Sequence, residues 1–261
     1  MKALVLAGGY ATRLRPLTDT WSKELLPVGG RPIIDWILDA IAEVDAIDQV
    51  HVVTNARKAP AFLAWAGTRG GDVEVHDDGT TSNEDRLGAI GDLRFVIDRA
   101  AIDDDMLVIA GDNMFDFSLA EYVAFWNGKR ERIGAASAVA VRDVGAIDIA
   151  RRMGIVELAD DGRVTAFVEK PDDPPSTLAA TATYLFDRAH VALVAGYLDA
   201  GNPNDQPGRY VAWLQEREPV YGWVFDEGWY DIGDAEQLLV ADNDLRARRG
   251  LPQRDTYSPD A

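Results

Sequence analysis

The spacing of apolar residues changes repeatedly along the chain, and each change predicts an element. Lys2–Ala7 (KALVLA) is a short apolar run ending in Gly8-Gly9, the pattern of a buried parallel strand. Ile33, Ile34, Ile37, Leu38, Ile41 and Val44 recur at helical spacing behind Pro32, a residue suited to a first turn. Residues 49–54 (QVHVVT) predict a strand, 58–66 a short helix, 73–76 a strand and 85–99 a helix. Residues 106–110 (MLVIA) predict a further buried strand, closed by Gly111-Asp112. The β-α-β-α order implies a parallel sheet with helices on both faces.

The second half reads differently. Residues 154–158 and 164–168 flank Gly162 as a hairpin, and 181–186 predict a strand. Helices are predicted over 187–199 and 207–217, a strand over 220–225 and a terminal helix over 234–248. Residues 249–261 hold Pro252, Pro259 and few apolar groups, and read as a loose end. The expected fold is one α/β domain over 1–248 with a mixed, mostly parallel sheet.

Composition narrows the chemistry. With 47% apolar and 27% charged residues, the 261-residue chain is globular rather than disordered. Cysteine is absent, which excludes disulfides, thiolate metal sites and cysteine nucleophiles. The three histidines, His51, His76 and His190, form no H-x-x-x-H pair, so zinc hydrolase chemistry is not expected. No apolar run is long enough to span a membrane, and MKALVLAGGY lacks the features of a secretory signal; a cytoplasmic address is expected. A net charge of −18 disfavours nucleic acid and anionic lipid as partners. Residues 1–31 nevertheless hold Lys2, Arg13, Arg15, Lys23 and Arg31 against only Asp19 and Glu24, a basic island suited to a small anion.

That island surrounds a glycine pair. After the first strand come Leu6-Ala7-Gly8-Gly9-Tyr10-Ala11-Thr12-Arg13-Leu14-Arg15-Pro16-Leu17. Adjacent glycines let backbone N–H groups approach an anion, and arginines add charge-assisted donors. The loop is neither a Walker loop nor a G-x-G-x-x-G fingerprint, and a glycine pair alone is an ordinary turn. The sequence continues with Ser22-Lys23-Glu24-Leu25-Leu26-Pro27-Val28 and Arg31-Pro32-Ile33-Ile34. This ordered set resembles the signature of the sugar-1-phosphate nucleotidyltransferases, in the short glucose-1-phosphate thymidylyltransferase-like form, with Ala11 where a glycine is commoner. Met106–Ala110 followed by Gly111-Asp112-Asn113, Gly154-Ile155-Val156-Glu157, Glu169-Lys170-Pro171 and Trp229-Tyr230-Asp231-Ile232-Gly233 match later motifs of the same family.

The resemblance implies a Rossmann-like, GT-A-like three-layer fold, with residues 1–115 binding nucleotide and 116–248 binding sugar phosphate. It implies that a sugar 1-phosphate oxygen attacks the α-phosphorus of a nucleoside triphosphate, releasing pyrophosphate. Leu6, Ala7, Gly8, Gly9 and Ala11 would face base and phosphates, with Thr12 and Arg13 at the triphosphate and Lys23 beside the α-phosphoryl group. Arg13, Lys23 and Asp112 would carry catalysis, with Asp112 and Asp231 binding Mg²⁺. Asn113, Gly154, Glu169, Lys170, Thr181 and Tyr184 would line the sugar-phosphate side. No general base is required, because the phosphate nucleophile is already ionised.

The base-reading segment departs from the family pattern. Where thymidylyl- and uridylyltransferases carry Q-x-x-P-x-G-L-A-x-A, this chain has residues 78–90 (DGTTSNEDRLGAI). Thr81, Ser82, Asn83 and Arg86 could hydrogen-bond a base edge, with Thr81, Asn83 and Gly88 the expected nucleotide contacts, and the same stretch reads as a helix start capped by Ser82 or Asn83. Transfer from dTTP or UTP to a hexose 1-phosphate is the favoured expectation. GTP or CTP with mannose 1-phosphate or phosphocholine, or a non-catalytic nucleotide-sugar-binding homologue, are the alternatives. No β-helix extension follows residue 248, so no acetyltransferase activity is expected. The oligomeric state is left open, a homo-oligomer included.

Overall fold

The computed structural model describes residues 1–70 and 73–259. Its centre is a nine-stranded mixed sheet. The strands that matter below are β1 (Lys2–Ala7), β2 (Gln49–Thr54), β3 (Val73–Asp77), β4 (Met106–Ala110), β5 (Asn113–Phe115), β6 (Ser137–Asp143), β7 (Gly154–Leu158), β8 (Val164–Glu169), β9 (Leu178–Phe186), β10 (Val220–Phe225) and β11 (Trp229–Asp231). The sheet runs β8-β7-β9-β4-β1-β2-β3, with β6 also on β9 and β10 on β6. Strands β4, β1, β2 and β3 are parallel neighbours, whereas β9 is antiparallel to β4, β6 and β7. Outside it, β5 and β11 form a two-stranded antiparallel ribbon.

The main helices are α1 (Ile33–Ala42), α2 (Ala59–Arg69), α3 (Ala89–Arg99), α4 (Leu119–Ile133), α5 (Leu193–Asp199), α6 (Pro207–Gln215) and α7 (Ala235–Arg248). Two apolar clusters form the core. One contains Ala3 and Val5 of β1, the apolar stripe of α1, and Tyr122 and Trp126 of α4. The other contains Leu4, Val96 of α3, Tyr197 of α5 and Tyr210 of α6. Alternate residues of β1 thus feed opposite clusters, as a central strand must. Burial of each large side chain is worth about 1.5–3 kcal/mol.

Several elements differ from their sequence-based bounds. The helix expected from residue 85 begins at Ala89, because Asp85 caps its own loop by accepting from the Thr81 and Ser82 N–H groups. Gly88 then turns with φ +76, and an added Cβ would stand 2.6 Å from the Asn204 carbonyl. The stretch 187–199 splits into Arg188–Val191 and α5. Strand β9 begins three residues before the expected 181. Helix α4 and strand β6 occupy a region for which the apolar pattern predicted no element.

The tail is not a loose end over its described residues. Asn243 and Arg254 exchange side-chain-to-backbone hydrogen bonds of 2.8 and 2.7 Å, and Tyr257 Oη donates to the Pro27 carbonyl at 2.9 Å. Polar anchors replace the apolar content whose scarcity suggested looseness. Tyr257→Ala should therefore destabilise the protein by about 1–3 kcal/mol, and Tyr257→Phe by about 1 kcal/mol, in denaturant titration. Equal stability of all three proteins would show that the tail adds nothing. Among the described residues, no helix is long and apolar enough to cross a membrane.

Candidate active site

Two adjoining cavities open at the carboxyl ends of β1 and β4, where α/β sheets tend to place ligands. The larger encloses about 790 Å³ and the smaller about 230 Å³. Ala110, Asp112, Ala182, Asp205 and Pro207 border both, so the two form one composite depression.

The smaller cavity is walled by Leu6, Gly8, Gly9, Ala11, Lys23 and Gly88. Gly8 is required here by proximity. A Cβ on it would stand 2.5 Å from Asp92 Oδ2 and 3.3 Å from Asp78 Oδ2. The larger cavity is lined by Arg13, Asn113, Gly154, Glu169, Lys170, Thr181, Tyr184 and Asp231. Gly154 and Gly208 both press on Phe167, their hypothetical Cβ atoms 2.7 and 2.5 Å from its ring, which keeps the floor open beside Glu169. Tyr184 and Thr181 are buried, and Thr181 Oγ1 donates to the Ala140 carbonyl at 3.1 Å.

Asp112 and Asp231 are brought together by the β5–β11 ribbon. Asp231 pairs with Asn113, and the Ile232 N–H donates to the Asp112 carbonyl at 3.2 Å. Trp229 Nε1 donates to Asn113 Oδ1 at 2.8 Å and fixes the ribbon's turn of face. Lys23 reaches the same point, donating to Asp112 Oδ2 and, at 3.3 Å, to the Ile232 carbonyl. Arg13 guanidinium nitrogens would meet a Cβ on Gly233 at 3.2 and 3.3 Å, so Arg13 lies over the loop after Asp231.

The electrostatics follow from this crowding. Burial pushes Asp231 up to about 6, and nearby Asp112 pushes in the same direction against Lys23, Arg13 and Lys170. Burial opposes charge on Lys23, but Asp112, Glu24 and Asp231 outweigh it and hold its pKa above the ordinary lysine value. Glu24, 3% exposed, is raised by burial despite Lys23 and a 2.5 Å hydrogen bond from Ser22. Glu169 is also raised by burial. The site gathers more carboxylate than its own cations neutralise.

Four of the residues expected at the site line neither cavity. Ala7 is buried beneath the loop, its carbonyl accepting from Thr54 Oγ1 at 3.2 Å. Thr12 is exposed on the turn Thr12–Leu14. Thr81 and Asn83 are exposed, Thr81 bonded to Asp85 and the Asn83 carbonyl accepting from Arg86 Nη1 at 2.6 Å. Arg86, not these two, faces the smaller cavity.

Sequence reasoning missed three contributors. The turn Asp205-Gln206-Pro207-Gly208 at the start of α6 forms the wall between the cavities, and its Pro-Gly pair is the signal that could have marked it. Arg152 lines the larger cavity. Asp78 and Asp92 form a hydrogen-bonded carboxyl pair under Gly8, with Asp92 5% exposed and its Oδ1 without a partner among the described residues. Burial, then Asp78, pushes Asp92 up to about 8, and burial also raises Asp78.

A carboxyl whose folded pKa is raised leaves the protein most stable below the unfolded pKa and costs stability as pH rises through the folded value. Asp92→Asn should therefore raise the melting temperature by several degrees at pH 8 and by less at pH 5. A constant difference across that window would contradict a shared proton.

The sequence model of the nucleotidyl transferase family matches residues 2–248. A low-salt glycan biosynthesis nucleotidyltransferase of Haloferax volcanii is 27% identical over 100% of this chain and 70% of its own length. A glucose-1-phosphate thymidylyltransferase of Streptomyces griseus is 32% identical over 92% of this chain, which spans 64% of that relative. The solved structure of a UDP-glucose pyrophosphorylase complexed with UDP-glucose superposes with a TM-score of 0.77 at 20% identity, over 95% of this chain and 99% of that one. Motif order, fold and cavity thus agree, and the chain belongs to the nucleotidyl transferase family.

Proposed function

We propose that the protein condenses a nucleoside triphosphate with a sugar 1-phosphate, releasing pyrophosphate and a nucleotide sugar. The reading is carried by the convergence of Arg13, Lys23, Lys170, Asp112 and Asp231 on one composite cavity. Both substrates are anions, and a like-charge pair at 4 Å costs about 4 kcal/mol at an effective dielectric near 20. Catalysis is then mainly neutralisation and alignment.

In this reading the glycine loop takes base and phosphates, Arg13 the β- and γ-phosphates and Lys23 the α-phosphoryl oxygens. Lys170 holds the sugar phosphate, and Glu169 accepts from sugar hydroxyls. The sugar phosphate oxygen forms the new bond to the α-phosphorus as the bond to the β,γ-pyrophosphate breaks, and no proton need move. Asp112 and Asp231 suit Mg²⁺, which prefers hard oxygen donors. Burial and Asp112 both disfavour the charged form of Asp231, so a cation held between the two carboxylates would stabilise that charge. Such an ion would neutralise charge on the phosphates.

For the nucleotide, dTTP or UTP is favoured by the motif resemblance. A glucose-like hexose 1-phosphate is favoured as acceptor. A pyrophosphate-release assay over four nucleotides and several phosphates, including mannose 1-phosphate and phosphocholine, tests the whole reading. Turnover with dTTP or UTP and a hexose 1-phosphate is expected. Binding without pyrophosphate release across the panel would instead mark a nucleotide-sugar-binding regulator.

A further inference from the structure

We propose a second metal site, outside both cavities, in which His51, Glu74 and His76 bind a borderline divalent ion such as Zn²⁺ or Co²⁺. The three residues sit on the parallel pair β2–β3, where His51 pairs with Glu74 and His76 lies two residues further along. Strand alternation puts all three on one face of the sheet. None lines either cavity. Among the described residues, this is the one group of three potential ligand side chains whose donor atoms lie within 4.8 Å of one another.

The geometry suits an ion. His51 Nδ1 stands 2.9 Å from His76 Nε2. Glu74 Oε2 is 3.5 Å from His51 Nδ1, and Oε1 is 3.8 Å from His76 Nε2, so both carboxylate oxygens face the imidazole pair. Two donors each roughly 2.0–2.2 Å from one ion, at an angle of about 90–110°, stand about 2.8–3.6 Å apart; the His51 Nδ1–His76 Nε2 and His51 Nδ1–Glu74 Oε2 separations of 2.9 and 3.5 Å fall in that range. His51 is fully buried, and its Nε2 has no hydrogen-bond partner among the described residues. Only the cluster therefore orients the ring. Glu74 is half-exposed, which gives an ion a path in and a position for water.

The donor set chooses the ion class. Two imidazoles and one carboxylate favour Zn²⁺, Co²⁺, Ni²⁺ or Cu²⁺ over Mg²⁺, which keeps to oxygen. Burial lowers the pKa of both histidines, so neither ring need lose a charge before binding near pH 7. The ring that now donates across the gap moves its proton to its outer nitrogen, and no net proton is released. For His51 that leaves an unpaired buried N–H, so binding should be weaker than at closed structural zinc sites.

Visible absorption of the chelator-stripped full chain during Co²⁺ titration tests this, with Zn²⁺ as displacing ion. One equivalent of Co²⁺ should produce d–d bands that Zn²⁺ abolishes and excess Mg²⁺ leaves unchanged. Glu74→Gln, at a half-exposed position where glutamine can still accept from Gln49 Nε2, should weaken Co²⁺ at least about tenfold, and His76→Asn should remove the bands. Asp231→Asn should leave them intact. The absence of saturable bands, or bands insensitive to Glu74→Gln and His76→Asn but lost in Asp231→Asn, would overturn the proposal. None of these readouts depends on nucleotidyl transfer, so failure here leaves the proposed function standing.

Discussion

Asp231→Asn should lower kcat for nucleotidyl transfer by about 10²–10³-fold or more while the protein stays folded. The substitution keeps the size of the side chain and removes one of two acidic groups assigned to the ion. It also relieves a repulsion, since burial and Asp112 already disfavour the charged form of Asp231. The melting temperature should therefore hold or rise as activity disappears. Asp112→Asn should cost similar activity but less cleanly, because Asp112 also accepts from Lys23. Steady-state pyrophosphate release paired with thermal melts separates the two effects. Full turnover in both variants would remove the assigned metal role.

Lys23→Gln should have the opposite pairing, losing both activity and stability. Lys23 stands among Asp112, Glu24 and Asp231, and Glu24 is nearly inaccessible. Removing the cation takes the hydrogen-bonded partner from Asp112 and a nearby positive charge from buried Glu24, at a cost of about 1–3 kcal/mol. Transfer should fall by about 10²-fold, since the α-phosphoryl group loses its nearest fixed positive charge. Lys23→Arg should recover much of the stability but little rate, because a planar guanidinium does not reproduce a compact ammonium. Equal melting temperatures for wild type and Lys23→Gln would contradict the role of Lys23 in balancing the carboxylates.

Much of this was legible wherever chemistry is carried by contiguous residues. Residues 6–34 state the loop and its cations in order, and the apolar runs of β1 and β4 end at Gly8 and Gly111 as buried strands should. The meeting of Asp112 with Asp231 could be expected only through motif resemblance, because a short ribbon and not sequence proximity creates it. The Asp78–Asp92 pair was not legible. Each residue alone looks like a turn or a first-turn helix acid, and only the approach of Gly8 places them together. Thr81 and Asn83 looked suited to a base edge, but the Asp85-centred loop uses Thr81 locally and turns both outward. Helix α4 escaped because Leu119, Tyr122, Val123 and Trp126 form a narrow buried stripe among charged residues. The tail escaped because Tyr257 and Arg254 anchor it through polar contacts that leave no apolar period.

The most direct test is an anomalous-scattering crystal structure with Mn²⁺ and a non-hydrolysable nucleoside triphosphate analogue. Manganese should be bound by carboxylate oxygens of Asp112 and Asp231 and by phosphate oxygens, with the polyphosphate against Gly8 and Gly9. A nucleotide seated in the cavity with manganese distant from both aspartates, or polyphosphate bound away from the glycine loop, would contradict that arrangement.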